Sequence, residues 1–476
     1  MTAARRTLAA VAAQAGGHPS GSTEPAHPAA PRLVRALGPL GLGATIVNVV
    51  IGGGIFRLPA GAAAALGPAA PIAYLACAAA MALIVFCVAE AGSRVGRTGG
   101  LYAYVEVAFG PFVGFITGAM LYACMVAALG AVSAFLADLL GAIVPALAAG
   151  LPRAAALLAI LAVFAALNVR GLRAASRTNA VLTAAKLVPL VLFVALGAFA
   201  VRAPNLAIPT APSGAALART STFLIFAFLG VESAMTPSGE VRDPARTVPR
   251  ALFGAMAAVT VVYLAVQLVA QGVLGAALAA SRTPVADAAG VALGPWGRGL
   301  VLGGSLVSML GYVGGMTFAA PRMLFALGRD GFLPRGLAAV HPRFRTPYVA
   351  VVVQTVVTAA LALGGAFERL ALVANGAALL AYAACCAAAW ELRRRDVREG
   401  GGAPLRTRIG AVAPGLAIIV IAWLLSGLKP GEWTAIGATA VVAVVAYAVA
   451  RTRRARGPDG ANASLDSPSR VGVSSA

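Results

Sequence analysis

Apolar stretches long enough to cross a bilayer recur along nearly the whole chain. A membrane-spanning helix needs roughly 20 mostly apolar residues, because the hydrocarbon core is about 30 Å thick and a helix rises 1.5 Å per residue. By this measure the 476 residues divide into twelve such stretches, separated by polar segments. The predicted spans are 37–66, 70–93, 111–145, 154–169, 179–201, 218–238, 251–277, 297–328, 347–365, 369–391, 411–428 and 433–450. We therefore predict an all-α polytopic membrane protein with 12 transmembrane helices.

Basic residues fall mainly in every second segment between these spans. Cytoplasmic segments are enriched in Lys and Arg, so this alternation predicts which side each segment occupies. With a cytoplasmic amino terminus, the arginine clusters at 94–97, 170–177, 393–398 and 451–456 all lie inside. A missed or additional span would reverse every later segment and remove the bias. We therefore expect a multi-pass protein of the cytoplasmic (inner) membrane with both termini cytoplasmic.

The remaining segments complete the expected domain organisation. Residues 1–36 contain Arg5 and Arg6, a short Ala/Val run and then a stretch rich in Pro, Gly and Ser. A secretory signal is one interpretation, but the short apolar run favours a basic, disordered cytoplasmic tail. We expect a ten-helix core in 37–393 and helices 11 and 12 in 394–450. A second disordered cytoplasmic tail is expected in 451–476, and we assign it no role.

Composition narrows the class of partner. The chain is 60% hydrophobic and 11% charged, with a mean hydropathy of +0.87, so lipid surrounds most of it. A net charge of +21 would suggest nucleic acid in a soluble protein, but here the charges follow membrane topology and no nucleic-acid partner is expected. No disulfide framework, metal or cofactor is indicated, since the cysteines lie in apolar segments without a nearby His cluster. They are Cys77, Cys87, Cys124, Cys385 and Cys386.

Two predicted spans contain helix-breaking residues. The first holds Gly52-Gly53-Gly54 with Pro59 behind it, and the sixth holds Gly230, Pro237 and Gly239. A break in lipid is tolerated only where protein or a water-filled cavity surrounds the freed backbone. The two spans are the first helices of successive five-helix halves, and matching interruptions point to a midplane site between inverted repeats. The alternative is that the glycines only permit close helix packing.

Two ionisable residues lie deep in apolar segments, where a charge is costly and needs a purpose. Glu232 adjoins the second break, where it could receive a proton or simply bridge exposed amides. Lys186 lies in the fifth span about 13 Å beyond Arg177, at 1.5 Å per residue. Its ammonium could snorkel to the interface. An interior-facing lysine would instead suit proton or charge coupling, and we expect Lys186 and Glu232 to be coupling residues.

Several motifs, taken in order and spacing, resemble the amino acid-polyamine-organocation transporter family. The stretch 51–56, Ile-Gly-Gly-Gly-Ile-Phe, looks like the family's Gly-Ser-Gly element, with Gly53 in place of the commoner Ser. The stretch 226–234 is similar to its second discontinuous helix. The segments 90–102, 239–250 and 328–334 look like further family signatures. The resemblance covers about 37–450 and identifies the chain as a member of this family, of the prokaryotic type.

The resemblance implies a 5+5 inverted-repeat transporter fold with discontinuous helices 1 and 6, and an amino acid as substrate. It implies that the first break binds the substrate α-carboxylate through Ile51, Gly52, Gly53, Gly54 and Ile55. It implies that the carbonyls of the second break receive the α-ammonium, at Phe226, Ala227, Phe228, Leu229 and Gly230. Glu232 matches the family's acidic residue. Lys186 matches a lysine of members without sodium dependence, which implies proton coupling or sodium-independent exchange.

The family alignment also places side chains near the substrate's variable group. Cys124, Met125 and Met316 are the apolar candidates of the third and eighth spans, beside Phe226 and Leu229 of the sixth. A buried cation would want carboxylate or carbonyl partners there, so we expect a neutral, small to medium aliphatic amino acid. A cationic amino acid or polyamine antiporter is the alternative. Residues 146–153 contain no cysteine for pairing with a single-span glycoprotein, so no obligate protein partner is expected.

Other functional classes fit the sequence less well. A membrane-embedded enzyme would need a nucleophile, base or metal ligands at membrane depth, whereas His18, His27 and His341 lie outside the predicted spans. A channel would need a ring of filter residues, normally from several subunits. The chain has no Gly-x-x-x-x-Gly-Lys-Ser/Thr phosphate cradle, so a nucleotide-driven pump within this chain is not indicated. The sequence therefore predicts a secondary carrier.

Overall fold

Helices make up every regular element in the part of the chain that the computed structural model describes. These residues are 42–43, 46–47, 50–95, 100–170, 176–231, 244–329, 331–399, 404–405 and 409–456. The α-helices are α1 (Leu58–Leu66), α2 (Ala70–Arg94), α3 (Leu101–Phe109), α4 (Pro111–Ile143), α5 (Gly150–Val169), α6 (Ser176–Gly197), α7 (Gly214–Leu224), α8 (Pro244–Leu274), α9 (Pro284–Arg329), α10 (Tyr348–Gly364), α11 (Phe367–Arg394), α12 (Ala413–Leu425) and α13 (Pro430–Arg456). The predicted tail 1–36 lies outside the described residues, as does 457–476.

The helices agree with a polytopic membrane protein. Seven helical stretches of the described residues are long and apolar enough to cross a bilayer. Four shorter apolar helices, at 186–200, 214–228, 348–364 and 413–425, overlap further predicted spans. The chain is therefore a multi-pass membrane protein. The total of twelve spans and the inverted 5+5 repeat stay predictions.

Three boundaries differ from those expected from hydropathy. The additional helix α3 precedes the third span and is separated from α4 by Gly110, whose positive φ of 89° turns the chain. Helix α9 begins at Pro284 rather than near 297, and it bends at Gly294, where φ is 78°. Helix α13 continues to Arg456, into the segment expected to be a tail. Arginine is a good helix former, so the helix continues after the apolar stretch ends.

Burial separates the central helices from the peripheral ones. In α4 and α11, 72% of the apolar window is buried inside the protein, against 11% in α5 and 17% in α13. Apolar side chains on the peripheral helices face lipid, which solvates them as well as protein would. Helices α4 and α11 therefore form the centre of the bundle, and Phe226, in the second of the breaks described below, packs against Phe367 of α11.

Buried polar contacts join α2 to α11 at one end of the bundle. At this end, Glu90 is fully buried and accepts hydrogen bonds from Arg94 at 3.4 Å and from Arg393 at 3.0 Å. The Glu399 amide, in the segment after α11, donates to the Arg94 carbonyl at 2.9 Å. We call this the inner end, following the topology predicted from the arginines, and the opposite one the outer end. Glu90 thus has the structural role of joining α2 to α11.

Candidate functional site

The first predicted span is interrupted at its three glycines. Helical backbone reaches Val50, and Gly52 is then extended, with φ −97° and ψ −155°. A 3₁₀ turn, Gly53–Phe56, follows, and α1 begins after it with Pro59 in its first turn. The first amides of a 3₁₀ turn have no acceptor inside the turn, so those of Gly53 and Gly54 are available to a ligand.

The sixth span is interrupted in a corresponding way. Helix α7 passes into a 3₁₀ turn, Ile225–Phe228, and Leu229 is then extended, with φ −63° and ψ 151°. Gly230 has a φ of 102°, a conformation that favours glycine because a Cβ would clash. The chain therefore leaves the helical path at Leu229 and Gly230. We call Gly53–Phe56 and Ile225–Phe228 the first and second breaks.

The two breaks lie against each other. A Cβ added at Gly54 would stand 3.1 Å from Cδ1 of Phe226, so the backbone of the first break approaches the second closely. The hydroxyl of Tyr263, on α8, lies 3.0 Å from the Val50 carbonyl oxygen and 2.8 Å from the Ala227 carbonyl oxygen. Tyr263 is fully buried, and its single proton can serve one of these two carbonyls at a time.

Sequence reasoning missed Tyr263. A buried tyrosine hydroxyl usually has a hydrogen-bond partner, so a tyrosine in the middle of the seventh span was a usable signal. The partners, however, are carbonyls of two other helices, and hydropathy gives no indication of them. Through one atom, Tyr263 therefore joins Val50, where the helical backbone before the first break ends, to Ala227 of the second break.

A cavity of about 640 Å³ lies beside the breaks. Most of the residues predicted for the site line it, namely Gly52, Gly53, Gly54, Cys124, Met125, Lys186, Phe226, Ala227, Leu229, Gly230 and Met316. Three described residues that were predicted for the site are not among the lining, because Ile51, Ile55 and Phe228 have fully buried side chains in the hydrophobic core. Glu232 lies outside the described residues. The binding and coupling roles of all these residues stay predictions.

Further lining residues come from α9, whose part in the site was only partly expected. Ser308, Tyr312, Gly315 and Arg322 line the cavity along one side of this helix. A Cβ added at Gly315 would meet nothing within 4 Å, so this glycine borders open space. Among the described lining residues the charged side chains are Lys186 and Arg322, both cationic. Lys186 is 9% exposed, which means that it does not lie on the lipid surface.

The outer end beyond the breaks is held together by polar contacts. Arg57 follows the first break and pairs with Glu368, at the start of α11, at 2.6 Å. The same guanidinium donates to the carbonyls of Ser281 and Arg282 at 3.1 and 3.0 Å. Beneath this pair, the Phe367 ring packs edge to face on Phe226 at 5.3 Å. These contacts join the first break, α11 and the segment before α9.

A second, smaller cavity of about 260 Å³ adjoins these outer contacts. Asp138 of α4 lines it and pairs with Arg153 of α5 at 3.0 Å. The large cavity extends the opposite way, past Tyr102, Met323 and Ala326, which belong to the inner half of the bundle. The geometry is therefore a cavity at two interrupted helices, closed on its outer side and reaching toward the inner end.

Comparison with known proteins decides the family. A sequence profile of the family described as amino acid permease matches residues 37–450, the whole stretch that holds both breaks and the cavity. This chain belongs to the amino acid permease family. As a permease of this family it is a transporter and not an enzyme, in agreement with the sequence analysis.

Individual members show the range of the family. This permease is 29% identical over 424 residues to the methylthioribose transporter of Bacillus subtilis, covering 84% of this chain and 90% of that protein. It is 27% identical over 419 residues to the branched-chain amino acid permease of the same organism, covering 83% and 88%. It is 28% identical over 323 residues to the serine/threonine exchanger of Bacillus subtilis, covering 64% and 71%.

Proposed function

We propose that this permease is a secondary carrier that moves a neutral, small to medium aliphatic amino acid across the cytoplasmic membrane by alternating access. The observation that carries the proposal is the meeting of two interrupted helices at one cavity. Discontinuous helices expose backbone groups at membrane depth, where a substrate can use them. We place both termini in the cytoplasm, as the arginine distribution predicts.

The backbone supplies both halves of a zwitterion site in this proposal. The amides of Gly53 and Gly54 begin the first break and attract a carboxylate, because a helix N-terminus carries partial positive charge. The second break ends a helix, where carbonyls carry partial negative charge, and it offers the carbonyl groups around Ala227 to an ammonium. Gly54 lies against the Phe226 ring, since a Cβ added at Gly54 would stand 3.1 Å from Cδ1, and we expect the two poles to lie within reach of one amino acid.

The side-chain part of the cavity supports a neutral substrate. Cys124, Met125 and Met316 give it apolar walls, and Gly315 leaves space beside them. Lys186 and Arg322, the charged groups of the described lining, would repel a guanidinium or a second ammonium. An arginine or polyamine antiporter is therefore the weaker alternative. The branched-chain permease and the serine/threonine exchanger are named for neutral amino acids, which agrees with this choice.

Lys186 is the group we assign to coupling. It is nearly buried, lines the cavity and projects from α6 beside both breaks, so its charge is close to the bound substrate. Gain or loss of one proton by Lys186 during the transport cycle would change the electric field at the substrate site. The proposal is therefore proton coupling or sodium-independent exchange.

Alternating access requires that the two ends open in turn. The outer contacts of Arg57 with Glu368 close one side, while the cavity extends past Tyr102 toward the inner end. This arrangement corresponds to an inward-facing state. Opening to the outside would require the Arg57–Glu368 pair and the Phe226–Phe367 contact to separate.

Uptake into proteoliposomes tests the function. Purified protein is reconstituted, and uptake of radiolabelled leucine is measured with and without a pH gradient, and with and without sodium. We expect saturable, stereoselective uptake that alanine, valine and isoleucine inhibit, and that arginine and putrescine do not. Unlabelled methylthioribose is included as a competitor, because one relative carries that name. Inhibition by methylthioribose alone, or no uptake of any of the twenty amino acids, would refute the proposed substrate.

A variant whose cavity is filled tests whether substrate uses this cavity. Gly315→Trp introduces a large side chain at a position where a Cβ meets nothing within 4 Å, so the fold has room for it. We expect this variant to elute and melt like the wild-type protein but to take up no leucine. Wild-type uptake by Gly315→Trp would show that substrate does not use this cavity.

A further inference from the structure

Helix α7 ends one turn before the cavity, and its final carbonyls need hydrogen-bond donors. The last four carbonyl groups of an α-helix have no partner within it, and in a membrane water does not supply one. Here α7 ends at Leu224, and the amide of Ile225, the first residue of the second break, donates to the carbonyls of Ser221 and Phe223. Side chains of other helices supply further donors to the carbonyls of Ser221, Thr222 and Phe223.

Asn375 of α11 supplies two of these donors. Its Nδ2 lies 2.7 Å from the Thr222 carbonyl oxygen and 3.0 Å from the Phe223 carbonyl oxygen. A third carbonyl, that of Ser221, receives the Cys77 thiol at 2.9 Å. Asn375 is fully buried, and its Oδ1 has no hydrogen-bond partner among the described residues.

The orientation of this amide follows from its surroundings. Turning the amide over would bring Oδ1 against two carbonyl oxygens and lose both hydrogen bonds. The present orientation uses both N–H groups on α7 and leaves the acceptor unused, which costs free energy in a buried position. The side chain is therefore arranged as a double donor toward the end of α7.

We propose that Asn375 is a positioning residue for the substrate site. By capping α7 where the helix opens into the second break, it fixes the direction in which the carbonyls of Phe226 and Ala227 face the cavity. These carbonyls are the groups that receive the substrate ammonium under the function proposed above, on which this inference rests. Asn375 does not line the cavity, so it acts through the backbone and not by contact with substrate.

Removal of the donors tests the role. Asn375→Leu lacks both N–H groups, and Asn375→Ser retains one hydroxyl donor on a smaller side chain that is easier to accommodate. We expect KM for uptake to rise about tenfold in Asn375→Leu and less in Asn375→Ser, since two buried hydrogen bonds and then one are lost. The maximal rate per folded molecule should change less than about threefold.

Gln271 provides a matched control. It is also a buried amide whose nitrogen lies near two backbone carbonyls, those of Asn205 at 3.4 Å and Gly275 at 3.3 Å, but it is remote from the cavity lining. Gln271→Leu should lower the melting temperature or yield without changing KM, which is the pattern expected for a purely structural amide.

The outcomes separate this inference from the function beneath it. If wild-type protein takes up no amino acid, the proposed function fails and the role of Asn375 fails with it. If wild-type protein transports and Asn375→Leu keeps the wild-type KM, the role of Asn375 alone is refuted. If Asn375→Leu does not fold, the same comparison is made with Asn375→Ser. An equal rise of KM in Gln271→Leu would also refute it.

Discussion

Loss of the Tyr263 hydroxyl should weaken substrate binding while leaving the fold intact. Tyr263→Phe removes the one oxygen that lies within hydrogen-bond distance of carbonyls from both interrupted helices. The ring itself stays, and it packs edge to face on Phe228 at 5.5 Å and on Tyr74 at 6.4 Å. The change is therefore confined to the polar link between the breaks.

The magnitude follows from the partners of the two carbonyls. The Val50 oxygen also accepts from the Gly52 amide at 2.7 Å, so it keeps a donor when the hydroxyl is gone. The loss then falls mainly on the Ala227 carbonyl. One buried hydrogen bond contributes about 1–2 kcal/mol, which corresponds to roughly a 5- to 30-fold change in an equilibrium constant. We expect KM to rise within that range.

Tyr74 offers a control of the same residue type. Both tyrosines are fully buried, but the Tyr74 hydroxyl has no hydrogen-bond partner among the described residues. Tyr74→Phe should therefore keep the wild-type KM and be as stable or slightly more stable. Uptake assays give KM, and thermal unfolding in detergent gives stability. Equal KM values for Tyr263→Phe, Tyr74→Phe and wild type would refute the link between the breaks.

Three further changes probe the coupling, the outer closure and the shape of the site. Lys186→Ala should remove the pH dependence of uptake while retaining leucine binding, and both are measured across pH 5.5–8. Unchanged pH dependence of uptake would show that Lys186 is not a coupling residue. In Arg57→Gln, a membrane-impermeant maleimide added from the outer side should label Cys124 up to about fivefold faster. The expected factor is this small because partly exposed ion pairs contribute about 1 kcal/mol or less. An unchanged labelling rate would contradict the outer closure. Gly53→Leu should weaken binding, because the new side chain would fill the turn that is proposed to hold the carboxylate, and its Cβ alone would lie 2.7 Å from Cε of Met309; wild-type affinity would show that this turn does not hold the substrate.

The position of the breaks could be inferred from the sequence because the responsible signals are local. Three adjacent glycines at 52–54 and a proline at 59 weaken any helix, whatever surrounds it. Gly230 likewise has a φ of 102°, which few other residues would accept. These residues determine backbone conformation within a few positions, and hydropathy alone predicts that the breaks lie at membrane depth.

Other features of the site were beyond prediction because they depend on which helices become neighbours. Ile51, Ile55 and Phe228 were assigned to the site as backbone members of the two interrupted segments, and their side chains point into the core. A short 3₁₀ turn rotates successive side chains by about 120°, so only some of them can face a cavity. Proximity in sequence is therefore a poor guide to the lining of an irregular segment.

The sequence by itself determined that the chain is helical, crosses the membrane several times, belongs with transporters and is interrupted at two matching places. The helical class, the membrane crossings and the interruptions follow from short-range properties, namely the length of apolar stretches, the distribution of arginines and the backbone preferences of glycine and proline. The assignment to transporters follows from motifs that resemble a known family. Only the tertiary structure decided that Tyr263 joins the breaks, that Asn375 caps α7 and that Arg57 pairs with Glu368. These contacts connect residues between 36 and 311 positions apart in the chain, so they exist only once packing has brought distant helices together.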